Sequence, residues 1–287
     1  MTRPVSVEAA RTLLFVPGDR PDRFPKAVRS GADGAILDLE DAVAPAGKET
    51  AREQVSEWLA TTENVPPSCV VRVNDRRTAW HDADVEMVAN SGCAVMLPKA
   101  ESAEEVRELA ARLSPDQMII PLIETAAGVI NVVEIGSEPR VARLAFGNVD
   151  LAAQLGVDPA DHTALLFARS RLVLAAAAAG LAPPLDGVTT AVDNPRLLAG
   201  DTRHARSLGM TGKLCIHPGQ VRVVHDVLAV DPEEVAWARR ILAGPGQATR
   251  LVDGEMVDKP VIERARGIMT RAGADHDDER VKQDGAL

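Results

Sequence analysis

PLIETAAG (residues 121–128) and AFGNVDL (residues 145–151) are apolar segments, each typical of a buried strand that delivers a carboxylate at or just past its end. The two carboxylates belong to Glu124 and Asp150. In parallel α/β proteins the carboxyl ends of the strands carry the chemistry, because the loops there vary while the barrel or sheet holds them still. Two acids at such ends indicate a site for a hard cation.

Strand signals recur along the chain and alternate with helix signals. We predict strands at residues 12–16, 35–39, 69–73, 94–97, 118–123, 144–146, 184–188 and 213–216. Helices are predicted at residues 21–30, 48–60, 82–91, 102–113, 160–179 and 195–207. This alternation indicates parallel crossovers, and eight strands are the number that closes a barrel. The predicted fold class is therefore α/β, a TIM (β/α)8 barrel, with a doubly wound sheet as the rival architecture.

Helical signals continue beyond the eighth strand. Amphipathic segments at residues 220–227 and 233–242 precede a Gly/Pro break at residues 244–246, and a last helix is predicted at residues 260–272. We therefore divide the chain into three parts. They are a barrel catalytic domain at residues 1–218, a C-terminal helical extension at residues 219–272 and a polar tail at residues 273–287 with the composition of a disordered segment.

Charge and composition argue against several classes of function. With 32 basic against 42 acidic residues, the net charge is -10 at pH 7, which disfavours a nucleic-acid partner. The chain has no run of about 18 uncharged apolar residues, and Glu8 and Arg11 stand where a secretory apolar core would lie. We expect a cytoplasmic protein with no membrane partner. The 3 cysteines lie in scattered apolar segments, which favours buried thiols over disulfides or a zinc site.

The acids of the fifth and sixth strands predict a metal centre. Glu124 and Asp150 would coordinate Mg²⁺, which takes one or two carboxylates and fills its remaining positions with water and substrate oxygens. Open positions of this kind are typical of a catalytic ion. The alternative is that each acid is an exposed loop charge or a helix N-cap.

Arg72 lies within the apolar run VVRVN at residues 70–74. Because arginine keeps its charge, a core position requires an anion beside it. One interpretation is a structural ion pair with Glu40 or Asp41, from the neighbouring strand end. The other is bidentate capture of a substrate carboxylate. Both can hold, because a guanidinium offers five donors.

A series of motifs, in order over residues 11–260, resembles one family. The motifs are LLFVPGDRPDRFPKA (13–27), LDLEDAV (37–43), VVRVN (70–74), MLPKAES (96–102), LIETAAGV (122–129), FGNVDL (146–151) and GKLCIHPGQV (212–221). The sequence resembles the citrate lyase β-subunit-like branch of the HpcH/HpaI aldolase family. This resemblance implies a TIM barrel, usually a homotrimer, that uses Mg²⁺ to make or break a carbon–carbon bond. The partners of that bond are a 2-oxo acid and the enolate of an acyl-CoA thioester.

The resemblance also implies roles for individual residues. Glu124 and Asp150 match the metal ligands, and Arg72 matches the arginine that grips the oxo-acid carboxylate. Glu40 and Asp41 match acids that support this arginine and the waters of the metal.

Further positions follow from the same motifs. Asp258, in GEMVDKP, matches an aspartate that reaches a neighbouring subunit's site as acid or base, with a turn residue as the alternative. Gly147 and Asn148 of FGNVDL are expected to bind substrate. Lys213 and His217 flank the end of the eighth strand, where barrels commonly hold phosphate, and are candidate CoA contacts. A turn histidine before proline is the alternative for His217.

Three functions are compatible with these residues. The first is a stand-alone lyase or Claisen-type synthase for a short 3-hydroxyacyl-CoA such as malyl-CoA or citramalyl-CoA, with or without thioester hydrolysis. The second is a citrate lyase β subunit that acts on a carrier-bound citryl thioester within a larger complex. The third is an acyl-CoA thioesterase of the same fold. A catalytically inactive scaffold is disfavoured because Arg72, Glu124 and Asp150 are all present.

Overall fold

Eight parallel strands pair in chain order and close into a barrel in this computed structural model. It describes residues 5–62, 65–66, 68–89, 91–243, 250–252 and 255–284. The barrel strands are β1 Thr12–Pro17, β2 Gly34–Asp38, β3 Val70–Arg72, β4 Ala94–Leu97, β5 Ile119–Ile123, β6 Arg143–Phe146, β7 Ala182–Asp186 and β8 Gly212–Cys215. Closure is made by β8, where Leu214 pairs with Leu13 of β1. The predicted TIM barrel is confirmed, and the doubly wound alternative is wrong because the sheet has no open edge.

The strands read as continuous apolar runs because both of their faces are buried. Alternate side chains point into the barrel, where one buried cluster takes members from every strand. It includes Leu13, Ile36, Val70, Met96, Ile120, Ala145, Leu185 and Leu214. The side chains between them, such as Val71 and Cys215, join a larger cluster beneath the helices. This double core holds the strand ends in fixed positions.

Arg143 closes the amino end of the barrel. Its guanidinium is fully buried and donates to the carbonyl oxygens of Ala10 and Pro183, and to Oγ1 of Thr211 at 2.8 Å. Burial lowers the pKa of Arg143 to about 9. Carbonyl dipoles therefore replace the water that this cation would otherwise bind.

Helices surround the barrel. They are α1 Phe24–Val28, α2 Lys48–Thr61, α3 His81–Val88, α4 Ala103–Arg112, α5 Ala126–Ile130, α6 Val132–Gly136, α7 Asn148–Leu155, α8 Leu166–Ala179, α9 Pro195–Leu208 and α10 Pro218–Leu228. The helix predicted at residues 160–179 begins later, at Leu166, and α5, α6 and α7 were not predicted. Because α7 starts directly after β6, Asp150 lies in the first turn of a helix, not in a loop.

The described residues divide into two units, one within Pro4–Leu228 and one within Ala229–Leu287. The first unit ends ten residues later than the barrel domain predicted at residues 1–218, because α10 packs on α9 and β8 and completes the last β/α repeat. The second unit contains α11 Pro232–Leu242, β9 Arg250–Val252, β10 Glu255–Val257 and α12 Lys259–Asp284. The Gly/Pro break predicted at residues 244–246 lies outside the described residues.

In the second unit α11 and α12 pack together around a small apolar core, whose members include Ile241, Val257, Ile262 and Ile268. Helix α12 continues to Asp284, whereas the last helix was predicted to end at residue 272, before a disordered tail from residue 273. Among the described residues, no helix combines the length and the apolar character that a membrane span requires.

Candidate functional site

A cavity of about 340 Å³ opens among the carboxyl ends of the barrel strands. Its polar lining consists of Asp38, Asp41, Arg72, Glu124, Asn148 and Asp150. Its apolar lining includes Phe15, Leu122, Phe146, Val188 and Leu214. The structure therefore brings the predicted metal ligands, the predicted carboxylate-binding arginine and the glycine and asparagine of FGNVDL to one place.

Arg72 is held by acids from the end of β2. Nε and Nη2 each donate to the carboxylate of Asp38 at 2.7 Å, and Nη1 lies 2.8 Å from Oε2 of Glu40. Burial disfavours the charged guanidinium, but the charge and hydrogen bonds of Asp38 together with the charges of Glu40 and Glu124 outweigh it and raise the pKa of Arg72 above its ordinary value. The main partner is thus Asp38, which was not among the predicted site residues. The predicted partner Asp41 is mostly exposed, with its Oδ2 at 3.7 Å from Nη1.

Glu124 is buried at the end of β5, with 2% of its surface exposed. The backbone N–H of Lys99 donates to its Oε1 at 2.9 Å. Lys99 has the left-handed φ of 48°, which is uncommon for a residue other than glycine and aims this N–H at the acid. Burial, and next the charge of Glu40, raise the pKa of Glu124 to about 8.

Gly147 is required by the position of Glu124. A Cβ on residue 147 would lie 2.3 Å from Cβ of Glu124 and 2.5 Å from its Oε2. No side chain fits there without displacing the acid. The two carboxylate oxygens consequently differ, because Oε1 is fixed by Lys99 while Oε2 faces the glycine.

Asp150 lines the same cavity from the first turn of α7. Its charge contributes to the raised pKa of Glu124, so the two acids are close enough to interact. Around the cavity the carboxyl groups of Asp38, Glu40, Asp41, Glu124 and Asp150 outnumber the cations of Arg72 and Lys99. An acid-rich site of oxygen donors suits a hard divalent cation.

Such an ion would keep most of its coordination positions for other molecules. Within the described residues, no three His, Cys, Asp or Glu side chains group as a metal-binding set. Glu124 and Asp150 would therefore supply two ligands, and water or substrate oxygens the remainder, as Mg²⁺ sites commonly do.

Glu40 links the arginine to a second cation. Its Oε1 pairs with Nζ of Lys99, while its backbone carbonyl accepts from Nζ of the buried Lys48 at 2.7 Å. Burial raises the pKa of Glu40, against the opposing charges of Arg72 and Lys99. Lys48 also donates to the carbonyl of Leu39 at 2.8 Å, so this buried lysine holds the backbone of the loop after β2 in place. Lys99 belongs to the motif MLPKAES, but its contacts with Glu40 and Glu124 could be identified only from the structure.

Asn148 ties α7 to the loop after β7. Its Nδ2 donates to the carbonyl of Val188 at 3.1 Å, and a Cβ on residue 187 would lie 2.0 Å from its Oδ1. Glycine at 187 is therefore needed for this packing. Asn148 also lines the cavity, which is compatible with the predicted contact with substrate.

Lys213 and His217 are not among the residues that line the cavity. Lys213 is buried, and its Nζ donates to Oδ2 of Asp186 at 2.9 Å and to the carbonyl of Gly187 at 2.6 Å. Asp186 also accepts from Nε of Arg169 at 2.8 Å, so the lysine belongs to a buried ion cluster. This environment favours a structural role for Lys213 over contact with CoA. His217 is exposed, and its Nδ1 accepts from the N–H of Gly219 at 3.1 Å, as expected of the turn alternative.

Asp258 lies in the second unit, just before α12. Its Oδ1 accepts from the N–H of Val261 at 3.2 Å, which makes it the N-cap of that helix. The local geometry fits the turn alternative, and the predicted acid–base role stays a prediction.

TIM-barrel enzymes carry their active sites at the carboxyl ends of the strands, and this closed barrel places an arginine and a pair of acids there. A model of the HpcH/HpaI aldolase/citrate lyase family matches residues 11–218, and a model described as a C–C bond lyase of the TIM-barrel fold matches residues 181–275. The chain belongs to the HpcH/HpaI aldolase/citrate lyase family. The resemblance drawn from the sequence motifs is confirmed.

Named relatives extend over nearly the whole chain. The citrate lyase subunit beta-like protein of Mycobacterium tuberculosis (strain H37Rv) is 39% identical over 269 residues, which cover 91% of this chain and 94% of the relative. The (3S)-malyl-CoA thioesterase of Cereibacter sphaeroides (strain ATCC 17023) is 34% identical, covering 92% and 95%. The crystal structure of protein CitE from M. tuberculosis, in complex with magnesium, acetoacetate and coenzyme A, has a TM-score of 0.79 at 38% identity. That match covers 93% of this chain and 99% of that one.

Proposed function

We propose that this protein is a Mg²⁺-dependent carbon–carbon lyase, or a Claisen-type synthase, for a short 3-hydroxyacyl-CoA such as malyl-CoA or citramalyl-CoA. The products of cleavage are an acyl-CoA and a 2-oxo acid. The observation that carries the proposal is the cavity in which Arg72 lies beside Glu124 and Asp150. A relative whose structure holds magnesium, acetoacetate and coenzyme A together supports the same substrate classes.

Arg72 would bind the carboxylate of the oxo-acid part. It keeps its charge, its plane is fixed by Asp38, and the ring of Phe15 lies 4.8 Å from its guanidinium carbon. A preorganised guanidinium binds a carboxylate with little loss of side-chain freedom. It also stabilises negative charge that develops on the oxo-acid part as the bond breaks.

Glu124 and Asp150 would hold the Mg²⁺. When bound, the ion supplies Lewis-acid polarisation of a substrate oxygen. Lys99 and Gly147 contribute by fixing one oxygen of Glu124 and leaving space at the other. The excess of carboxyl groups over cations around the cavity supports the requirement for a divalent ion before an anionic substrate binds.

Proton transfer requires a further group, since cleavage takes a proton from the substrate hydroxyl and adds one to the enolate carbon. Asp258 of a neighbouring copy is our candidate for the second step, in a homotrimer. The hairpin of β9 and β10 pairs Leu251 with Met256, and these apolar side chains are 76% and 63% exposed. An apolar pair so close in sequence to Asp258 supports burial of this segment against another subunit.

Thioester hydrolysis is the second candidate, because relatives at 34% identity are named (3S)-malyl-CoA thioesterases. A subunit that acts on a carrier-bound citryl thioester is supported by the citrate lyase subunit beta of Leuconostoc mesenteroides subsp. cremoris, at 33% identity. These two activities differ from the lyase in their products and in the form of their substrate.

The deciding experiment assays the purified chain on a panel of free CoA thioesters with Mg²⁺ and with EDTA. A lyase releases a 2-oxo acid and leaves the thioester intact, whereas a thioesterase releases a thiol without an oxo acid. We expect Mg²⁺-dependent release of oxo acid, and its loss in Glu124→Gln. Equal turnover in EDTA, or turnover with carrier-bound substrates alone, would contradict the proposal.

A further inference from the structure

We propose that Asp38 is a positioning residue that holds Arg72 so that one N–H on each terminal nitrogen is left for a planar carboxylate. This inference rests on the proposed function and deepens it, because it assigns the arginine's remaining donors to the carboxylate of a 2-oxo acid. Asp38 acts through the arginine and does not itself touch the ligand.

Asp38 has no acceptor left for a metal or a substrate. Its Oδ1 accepts from the backbone N–H of Glu40 at 2.9 Å and from Nε of Arg72 at 2.7 Å. Its Oδ2 accepts from the N–H of Ala42 at 3.1 Å and from Nη2 of Arg72 at 2.7 Å. Each carboxylate oxygen offers about two lone-pair sites, so the four bonds use them all. Asp38 lines the cavity with its acceptors already occupied.

The donors of Arg72 can be assigned in the same way. Nε and one N–H of Nη2 donate to Asp38, while Nη1 lies 2.8 Å from Oε2 of Glu40 as an ion pair without a hydrogen bond to it. A guanidinium has five N–H donors, so at least one remains on each of Nη1 and Nη2. Two donors on one rigid plane match the two oxygens of a carboxylate. With Phe15 over one face of the guanidinium, this plane cannot tilt freely.

The backbone determines where Asp38 stands. Asp38 and Arg72 are partners across the β2 and β3 pair, at the last residue of each strand. The N–H groups of Glu40 and Ala42 approach the carboxylate from the turn that follows β2. The orientation of the arginine is therefore fixed by a strand end and a turn, not by a flexible surface acid.

The direction in which Asp38→Asn changes the affinity for an anion distinguishes a positioning role of Asp38 from a purely electrostatic one. Asp38→Asn removes a negative charge beside the anion site, so Coulomb attraction alone predicts tighter binding of an anion. Loss of the arginine's position predicts weaker binding, by at least roughly tenfold for a lost charge-assisted contact. Pyruvate and glyoxylate are suitable probes, titrated calorimetrically into Mg²⁺-saturated protein. Asp41→Asn removes the same charge from an exposed acid, and we expect it to tighten binding of the probes.

A double-mutant cycle tests whether Asp38 acts through Arg72. Arg72→Lys keeps the charge but loses the planar pair of donors. We expect Asp38→Asn to cause no further weakening in the Arg72→Lys background, and to raise KM more than it lowers kcat in the wild-type background. Independent losses, or wild-type affinity in Asp38→Asn, would overturn the proposal. Should Asp38→Asn not fold, Asp38→Glu keeps the charge pair while shifting the guanidinium, and it must also weaken binding by roughly tenfold.

A ligand-free measurement separates this inference from the proposed function. The Nε–H of Arg72 should exchange slowly with water in the wild type and faster in Asp38→Asn, as followed by ¹⁵N NMR, with Asp41→Asn unchanged in exchange. If neither oxo acid binds the wild type, the proposed function fails, while the exchange rates still test the position of the arginine. Equal exchange rates in wild type and Asp38→Asn would refute the positioning role.

Discussion

Replacing Glu124 by glutamine should stabilise the metal-free protein at pH 9 but not at pH 5. Burial, and next the charge of Glu40, raise the pKa of this carboxyl from 4.5 to about 8. The folded state therefore holds the proton more tightly than the unfolded state. The stability that this proton gives is present below pH 4.5 and is lost as the pH rises through 8.

The magnitude follows from the shift. One pKa unit corresponds to about 1.4 kcal/mol, so the change from 4.5 to about 8 sets an upper limit of about 5 kcal/mol. Glutamine keeps the acceptor for the N–H of Lys99 and removes the charge. We expect a gain in the free energy of unfolding of ~2 kcal/mol or more at pH 9, and a difference near zero at pH 5.

Urea unfolding in EDTA at pH 5, 7 and 9 measures this difference. Glu53→Gln, an exposed acid on α2, is the matched control and should follow the wild type. Mg²⁺ should restore stability to the wild type at pH 9 and leave Glu124→Gln unaffected, because ion binding requires the ionised carboxylate. Parallel curves for wild type and Glu124→Gln at all three pH values would refute the account of a costly buried charge.

Three further substitutions test other parts of the site. Gly147→Ala should weaken binding of Mn²⁺, used as a probe of the Mg²⁺ site, by roughly tenfold or more, because its Cβ would displace Glu124. Gly200→Ala, in open space on α9, is the control. Equal Mn²⁺ affinities in Gly147→Ala and the wild type would contradict the reasoning. Lys213→Met should lower the free energy of unfolding by ~3 kcal/mol, as for a broken buried ion pair, and leave binding of a CoA thioester unchanged; a selective loss of CoA affinity would instead support the predicted contact. Asp258→Asn should slow the proton-transfer step more than it weakens substrate binding. In the proposed homotrimer, Asp258→Asn subunits mixed with subunits that are inactive at another residue of the site would show activity if Asp258 acts across subunits.

Most of the barrel was predictable because its strands are short apolar runs separated by helix signals. The weakest prediction was β7, placed at residues 184–188 and found at Ala182–Asp186. Its prolines, Pro183 and Pro184, hide a strand that begins before them. Helix α7 was missed because FGNVDL passes from strand to helix without a loop, so the periodicity changes within six residues.

The site was predictable only in part, because partners across strands depend on register. The sequence indicated that Arg72 needs an anion, but it could not distinguish Asp38 from Glu40 and Asp41, which lie within three positions of it. Likewise, the role of Lys99 depends on its backbone N–H and a left-handed φ. Neither the direction of this N–H nor the value of φ can be predicted from the identity of the residue.

Lys213 shows what strand alternation can add. Its neighbour Leu214 points into the barrel, while Cys215 packs in the layer beneath the helices. Because side chains alternate along a strand, Lys213 shares the outer face with Cys215. Reading the period of two along β8 would have directed this lysine away from the cavity and toward Asp186.

Among the described residues, Arg143 closes the amino end of the barrel and apolar side chains fill its interior, so the cavity beside Arg72 opens at the carboxyl ends of the strands. In the lyase or synthase proposed above, a small acid bound by Arg72 would lie deeper in this cavity than the much larger thioester. Sequential kinetics would follow in the condensing direction, with the acid entering first. In the cleaving direction the thioester would depart before the acid.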